Sequence, residues 1–221
     1  MILCIADVLD RPGLDALRES LAGGVYVDGE LSSGWASRLV KKNEQLGAGP
    51  AARKAQEQVV AALSSNPVFA AAVLPRRFAP PLFARYTPGM EFGTHMDNAV
   101  MGAERMRSDV SVTLFLTEPE EYDGGELVME SAAGEAAYKL PAGSAVAYPS
   151  TMLHRVAPVT RGTREVAVTW AQSLVRGAEQ REILFDLERV GRALFERDGK
   201  SPEFDLLNKS AANLRRMWVE S

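Results

Sequence analysis

Three residues of this chain have the types and the spacing of a metal site: His95, Asp97 and His154. They form an H-x-D triplet, which is followed much further along the chain by the second of its two histidines. Neutral imidazole and carboxylate both bind divalent metals, and three such ligands on one face of an octahedral ion leave the opposite face open. The pattern therefore predicts a 2-His-1-carboxylate site of the non-haem Fe(II) type.

The spacing of the close pair favours a strand. Because alternate residues of a strand face the same side, His95 and Asp97 can point at one ion. His154 must then come from a distant strand, which a sheet folded over on itself can supply. The alternative is that both histidines are incidental, since an H-x-D triplet alone is weak evidence for a metal.

Arg164 is a candidate anchor for a second ligand. The alternation that follows it places Arg164, Val166 and Val168 on one face of a strand. An arginine on such a face points inward or lies at the rim, and inside a protein it needs an anion. Guanidinium matches a carboxylate in two parallel hydrogen bonds, so a dicarboxylate that chelates the metal could reach Arg164 with its other end. The alternative is an edge arginine in a surface ion pair with Glu165 or another carboxylate.

Two aromatic residues and one loop complete the candidates. The hydroxyl of Tyr86 could donate to the same distal carboxylate, although a role as a core aromatic is equally compatible with its strand. Trp170 is interpreted as a packing residue rather than as one that takes part in the chemistry. The segment 99–108, which contains Gly102, is interpreted either as a mobile lid over the mouth of the site or as an ordinary exposed connection.

The sequence blocks around these residues resemble a known family. His95, Asp97, His154, Arg164 and Trp170 together resemble the Fe(II)/2-oxoglutarate dioxygenases of the prolyl 4-hydroxylase type. The segments 95–99 and 148–164 are similar, more narrowly, to the signatures of bacterial PKHD-type hydroxylases, a group associated with iron uptake. The core of the resemblance runs from about residue 82 to residue 170, and the tail 179–218 is also similar to that group.

The resemblance implies a fold, cofactors and a reaction. It implies a double-stranded β-helix, or jelly roll, with Fe²⁺ held by His95, Asp97 and His154. The cosubstrate would be 2-oxoglutarate, bound through Arg164 and contacted by Tyr86, and L-ascorbate would keep the iron reduced. The implied reaction consumes O2 and 2-oxoglutarate and yields a hydroxylated substrate, succinate and CO2. A prolyl residue, a peptide and a small molecule such as a siderophore all stay open as the substrate.

Two other functional classes are compatible with a metal triad. A non-catalytic module could bind iron or 2-oxoglutarate as a sensor without turnover. A cupin-like isomerase or hydrolase could use another metal, but Arg164 argues against it because such chemistry needs no dicarboxylate anchor.

The remaining patterns predict an α+β protein. We expect a dioxygenase domain over 1–176, whose catalytic core spans about 80–174, and a C-terminal helical extension over 177–221. A series of short strands separated by turn signals is typical of a sandwich or barrel, of which the jelly roll is one form. The predicted strands are Leu82–Tyr86, Ser108–Leu116, Glu126–Glu130, Tyr138–Leu140, Ser144–Tyr148, His154–Val159 and Arg164–Gln172.

Helices are predicted on both sides of these strands. Apolar residues at helical spacing, together with first-turn prolines, indicate three helices before the core and two after it. Ser201 is the expected cap of the last one. The apolar stripes of the last two helices are compatible with a homodimer that forms through these helices. The predicted helices are Pro12–Ala22, Pro50–Leu63, Val68–Leu74, Glu179–Arg197 and Pro202–Trp218.

Composition excludes several classes of protein. A net charge of −4 without a basic block argues against a nucleic-acid partner. No apolar run approaches the length of a membrane span. The single cysteine, Cys4, excludes an intrachain disulfide framework, and its apolar surroundings predict a buried position. With no signal-peptide pattern at the start, we expect a cytoplasmic protein.

Overall fold

The computed structural model describes residues 1–32, 34 and 37–220. These residues contain five α-helices, and each lies within two residues of a helix predicted from the sequence. Residue 221, the end of the predicted extension, lies outside the described residues. The helices are α1 (Arg11–Leu21), α2 (Pro50–Ser65), α3 (Pro67–Val73), α4 (Ala178–Asp198) and α5 (Pro202–Trp218).

Side-chain caps fix the start of three of these helices. The carboxylate of Asp10, the amide of Asn66 and the hydroxyl of Ser201 each accept a hydrogen bond from a backbone N–H in the first turn. A proline follows in the first turn of each helix, where its missing N–H has no cost. The predicted start of the last helix is therefore confirmed.

The strands are short, and most of them lie in two sheets in which neighbouring strands run antiparallel. In chain order they are β1 (Leu3–Ile5), β2 (Tyr26–Asp28), β3 (Lys41–Lys42), β4 (Glu44–Leu46), β5 (Pro75–Phe78), β6 (Leu82–Tyr86), β7 (Glu91–His95), β8 (Val100–Met101), β9 (Met106–Arg107), β10 (Val110–Phe115), β11 (Tyr122–Gly124), β12 (Leu127–Ser131), β13 (Gly134–Tyr138), β14 (Ala145–Pro149), β15 (His154–Val156), β16 (Val159–Gly162) and β17 (Arg164–Ser173).

Two sheets form the body of the molecule. The larger sheet has the order β1-β14-β10-β17-β6-β4-β2, with β5 added beside β17, and the smaller has the order β13-β12-β15-β7-β3. β11 pairs with β16 and β8 pairs with β9 as separate ribbons. Apolar side chains of the larger sheet and of the smaller sheet pack together in one core cluster, so these two sheets face each other. The predicted jelly roll with flanking helices is confirmed.

A second core lies on the outer side of the larger sheet. Leu17, Val59 and Phe69 from the first three helices pack there against residues of the sheet. The central strand Val110–Phe115 is therefore buried along its whole length, with helices over one face and the smaller sheet over the other. Polar and apolar residues alternate over Ser108–Leu116, a pattern that predicts a half-buried strand. That prediction is wrong, because the structure covers both faces.

One short segment, residues 41–46, belongs to both sheets. Lys41 pairs with Phe92 in the smaller sheet, whereas Gln45 pairs with Ala84 in the larger one. The segment thus crosses from one sheet to the other and closes one side of the space between them. Its two strands are very short, and the sequence analysis did not predict them.

Cys4 is exposed, and the expectation that it is buried is wrong. β1 is the edge strand of the larger sheet. As in any strand, its alternate residues face opposite sides. Ile5 takes the buried side, with 3% of its surface exposed, and Cys4 faces outward.

Two predicted strands have different bounds. The strand expected at Tyr138–Leu140 is Gly134–Tyr138, because it forms a hairpin with β12 that begins at Gly134. The strand expected at His154–Val159 breaks after Val156, and a new strand begins at Val159. Pro158 lies in the break, and proline cannot donate a ladder hydrogen bond.

The segment 99–108 contains a small hairpin rather than a structureless connection. β8 and β9 pair in it, and Gly102 and Arg105 in its turn both adopt positive φ. Met106 is buried beneath it, with 4% exposure. Its role as a lid stays a prediction.

The C-terminal helices are tied to the core at two places. α4 lies against α3, and the chain beyond α5 returns so that Val219 bridges to Val175. The carboxylate of Glu220 accepts a hydrogen bond of 2.7 Å from Arg107 of β9. Several apolar side chains of α4 and α5 are exposed, and the homodimer and the domain boundary at residue 176 stay predictions. The exposed side chains are Ile183, Val190, Phe195, Leu206 and Met217.

Among the helices described, none has both the length and the apolar character needed to cross a membrane.

The core beneath α2 yields a stability prediction. Leu63 is fully buried there, so we expect Leu63→Ala to lower the free energy of unfolding by about 2–5 kcal/mol through lost burial and a residual cavity. Leu39→Ala is the matched control, because Leu39 is 79% exposed and such surface changes stay within about 0.5 kcal/mol. Urea denaturation measures both, and equal losses would contradict the assigned core.

Candidate active site

The three predicted metal ligands lie together. His95 ends β7, His154 begins β15, and the two residues pair directly across these antiparallel strands, with ring centroids 4.3 Å apart. Asp97 lies just beyond the end of β7, so the expectation that it shares the strand with His95 is wrong, although its carboxylate still reaches the same point. One ligand atom from each residue lies within 4.8 Å of the others. This group can hold a metal ion.

Backbone carbonyls fix the two imidazole rings. Nδ1 of His95 lies 2.8 Å from the carbonyl oxygen of Gly93, and Nδ1 of His154 lies 3.0 Å from that of Met152. Because a carbonyl only accepts hydrogen bonds, Nδ1 carries the proton in both rings. Nε2 is then left unprotonated as a metal ligand, in the arrangement usual for metal-binding histidines.

Buried serines orient the carboxylate. The Ser111 hydroxyl donates to Oδ2 of Asp97 at 2.5 Å and lies 2.8 Å from the Ser150 hydroxyl. The same Oδ2 is 3.8 Å from Nε2 of His154. Neither serine was predicted from the sequence. For Ser111 the available signal is the polar pair Ser111 and Thr113 within an otherwise apolar buried strand.

His95 is held in its neutral form. Burial, and next the neighbouring His154, lower the pKa of His95 to about 4. The ring of Phe92 stacks on it with a centroid separation of 3.6 Å. At neutral pH the imidazole therefore presents a lone pair to a metal without first having to lose a proton.

The triad opens into a cavity of about 340 Å³ between the two sheets. Arg164 and Tyr86 reach this cavity from the larger sheet, so the structure brings all five predicted site residues together. Trp170 also lines it, and its indole N–H is buried without a hydrogen-bond partner among the described residues. The hairpin segment contributes Met101 and Gly102 to the wall.

Arg164 is buried in this cavity, and no residue that the structure describes forms an ion pair with it. Only 1% of its surface is exposed, and Nε and Nη1 have no hydrogen-bond partner among the described residues. Its guanidinium carbon lies 5.0 Å from the ring centroid of Tyr86 and 5.7 Å from that of Phe115. A buried guanidinium is costly unless an anion pairs with it. The pairing with Glu165 considered as an alternative does not occur in the structure.

Tyr86 stands directly beside this arginine. The two residues pair across β6 and β17, and Tyr86 is 3% exposed. Burial raises the pKa of Tyr86, while the charge of Arg164 partly opposes that rise. The side chain therefore stays a neutral phenol, which can donate a hydrogen bond to an anion in the cavity.

Three further polar residues line the cavity and were missed by the sequence analysis. Lys41, Asn43 and Gln45 are alternate residues of the segment 41–46, and all three are at least nine-tenths buried. Burial chiefly lowers the pKa of Lys41 to about 8. The sequence carries no signal for their burial, because residues 41–45 are all polar and show no alternation that would mark a buried face.

Comparisons with known proteins agree with this geometry. Residues 81–172 match the 2OG-Fe(II) oxygenase superfamily. A PKHD-type hydroxylase of Gloeothece citriformis is 53% identical over 220 residues, and one of Picosynechococcus is 53% identical over 221 residues. Both alignments cover 100% of this chain and of the relative. The chain belongs to the PKHD-type hydroxylases.

Solved structures share the fold of this PKHD-type hydroxylase. A prolyl-4-hydroxylase of Pseudomonas putida aligns with a TM-score of 0.52 and 22% identity over 78% of this chain and 92% of its own. A prolyl hydroxylase of Trichoplax adhaerens, in complex with a hypoxia inducible factor peptide fragment, aligns with a TM-score of 0.55 and 12% identity over 83% and 86%.

Membership of this family decides between the functional classes. The PKHD-type hydroxylase is an Fe(II)- and 2-oxoglutarate-dependent dioxygenase, and its cofactors are Fe²⁺ and 2-oxoglutarate, with ascorbate as reductant. The residues present fit these groups. Two imidazole nitrogens and one carboxylate oxygen suit Fe²⁺, and the unpaired guanidinium of Arg164 suits the free carboxylate of a dicarboxylate.

The serine behind the carboxylate yields a prediction about metal affinity. We expect Ser111→Ala to weaken metal binding by about 10–100-fold, because Asp97 loses the hydrogen bond that orients it. Titration with Fe²⁺ under anaerobic conditions measures the effect.

Ser173→Ala is the matched control for that titration. Ser173 is equally buried, but its hydroxyl donates to the Val73 carbonyl outside the cavity. We expect it to leave metal affinity unchanged, and an equal loss in both variants would mean that Ser111 acts only through stability.

Proposed function

We propose that this PKHD-type hydroxylase inserts an oxygen atom from O2 into a C–H bond of its substrate, while 2-oxoglutarate is converted to succinate and CO2. In this proposal His95, Asp97 and His154 hold Fe²⁺. The observation that carries it is one cavity that contains both a three-ligand metal group and a buried, unpaired arginine.

Each end of 2-oxoglutarate has a matching group in the cavity. Arg164 would bind the distal carboxylate through its donor fork, and Tyr86 would donate a further hydrogen bond to it. The keto acid end would then reach the metal triad on the opposite sheet. When bound, Fe²⁺ supplies the activation of O2, and the protein supplies orientation and a site shielded from water.

The hairpin β8–β9 lies beside the cavity. Met101 and Gly102 of this hairpin line the cavity wall, so we propose that it acts as a lid over the site where the substrate binds. A peptidyl residue and a small molecule are both compatible with a cavity of about 340 Å³. We also propose a link to iron uptake, which is supported by the similarity of residues 148–164 to the signatures of that hydroxylase group.

Turnover of 2-oxoglutarate tests the proposed reaction. We expect succinate formation that requires Fe²⁺ and O2 and that rises above the uncoupled background only with the right substrate. Prolyl peptides and siderophores are the first candidates to assay. His95→Ala should lose both bound iron and turnover, because two ligands hold the metal weakly. Unchanged iron content and turnover in that variant would overturn the proposed metal site.

The arginine anchor has its own prediction. We expect Arg164→Met to raise the KM for 2-oxoglutarate by about 30-fold or more, since a buried carboxylate loses its charged partner. Arg161→Met is the control, because Arg161 pairs with Asp123 at the surface. Steady-state kinetics of both variants measures the KM for 2-oxoglutarate. An unchanged KM for Arg164→Met would contradict the role of Arg164 as an anchor, but it would not affect the proposed metal site.

A further inference from the structure

Asn43 is a buried amide on the wall of the cavity. The residue is 5% exposed and lines the cavity. Neither its Oδ1 nor its Nδ2 has a hydrogen-bond partner among the described residues. Buried side-chain amides are rarely left in this state unless a ligand completes them.

The backbone holds this amide in one place. The N–H of Gly29 donates to the Asn43 carbonyl oxygen at 2.9 Å. Oδ1 of Asn43 packs so closely over Gly29 that a Cβ added there would lie only 1.8 Å from it. Gly29 therefore provides the space that the Asn43 side chain occupies.

Asn43 lies near Tyr86. Glu44 pairs with Arg85 across β4 and β6, so the preceding residue, Asn43, lies next to Tyr86. In agreement with this, Asn43 acts on the pKa of the Tyr86 phenol against the rise that burial causes. Tyr86 in turn pairs with Arg164 across neighbouring strands. Three side chains with hydrogen-bond donors thus cluster at the Arg164 end of the cavity, whereas Asp97, in the metal triad, is the one carboxylate among the described residues that line the cavity.

We propose that Asn43 is a third donor to the distal carboxylate of 2-oxoglutarate and helps the site to select a dicarboxylate. The inference rests on the proposed function, because it takes the cosubstrate to span from the metal triad to Arg164. A carboxylate has about four acceptor positions, more than one arginine fork and one phenol fill. The amide Nδ2 of Asn43 takes one of the others.

The test compares two ligands that differ only in the distal group. 2-Oxopentanoate has the same carbon chain as 2-oxoglutarate but lacks the distal carboxylate. We measure the binding of each to the Fe²⁺-loaded full-length protein without O2. For Asn43→Leu we expect about a tenfold loss of affinity for 2-oxoglutarate and an unchanged affinity for 2-oxopentanoate.

Two further variants sharpen the comparison. Gln58→Leu makes the same chemical change at another amide with a buried, unpartnered oxygen, but on α2 and outside the cavity lining, and it should alter neither affinity. Gly29→Ala fills the space beside Asn43 and should reproduce the selective loss for 2-oxoglutarate.

Each outcome separates one explanation from the others. Equal losses for both ligands would mean that Asn43 supports the fold rather than the carboxylate, and no loss would mean that its amide does not bind the carboxylate; either result overturns the proposal. Because binding is measured without turnover, wild-type protein that binds 2-oxoglutarate but forms no succinate would refute the proposed reaction and leave the role of Asn43 to be decided by the ligand comparison.

Discussion

The buried guanidinium of Arg164 is the constraint on which the rest of the site depends. A charge at this depth, with no anionic partner among the described residues, is unfavourable, and binding of an anion relieves the cost. The strand that carries Arg164 lies in the middle of the larger sheet, between β10 and β6, so its position is fixed by ladders on both sides. Any ligand that satisfies it and also reaches the metal triad must carry an anionic group at one end and a metal-binding group at the other.

The opposite end of the cavity is preorganised by hydrogen bonds that involve no ligand. Pairing of β7 with β15 sets the separation of His95 and His154, and two backbone carbonyls set the direction of their rings. The Ser111 hydroxyl sets the carboxylate of Asp97. The donor atoms are therefore close to their working positions before a metal arrives, which reduces the reorganisation that binding requires.

The sequence was most informative where a residue type has few alternative uses. Two histidines in a chain of this length, one in an H-x-D triplet, indicated the triad, and an arginine among valines indicated an inward charge. Helices were predictable because proline and capping residues mark their starts locally. Residues 41–46 were not, because their two strands are only two and three residues long and take their structure from partners in different sheets. For the same reason Lys41 and Asn43 could not be placed in the cavity.

The bounds of the smaller elements followed long-range pairing rather than local pattern. Asp97 lies outside its expected strand, yet its carboxylate is close to the histidines because Ser111 of a different sheet holds it. Cys4 is surrounded by apolar residues in the sequence, but an edge strand turns alternate residues outward. Alternation predicts that two faces exist, and only the tertiary structure decides which of them is covered.

The hydrogen bond between Glu220 and Arg107 links the last turn of the chain to the hairpin beside the cavity. Arg107 also binds Asp109 at the start of the central strand, so one side chain connects the C-terminal helices, the hairpin and the larger sheet. If the hairpin acts as the proposed lid, relatives that differ in their helical tails would differ in how readily substrate exchanges, even with identical metal ligands. The tail would then be a region in which substrate access diverges while the chemistry stays constant.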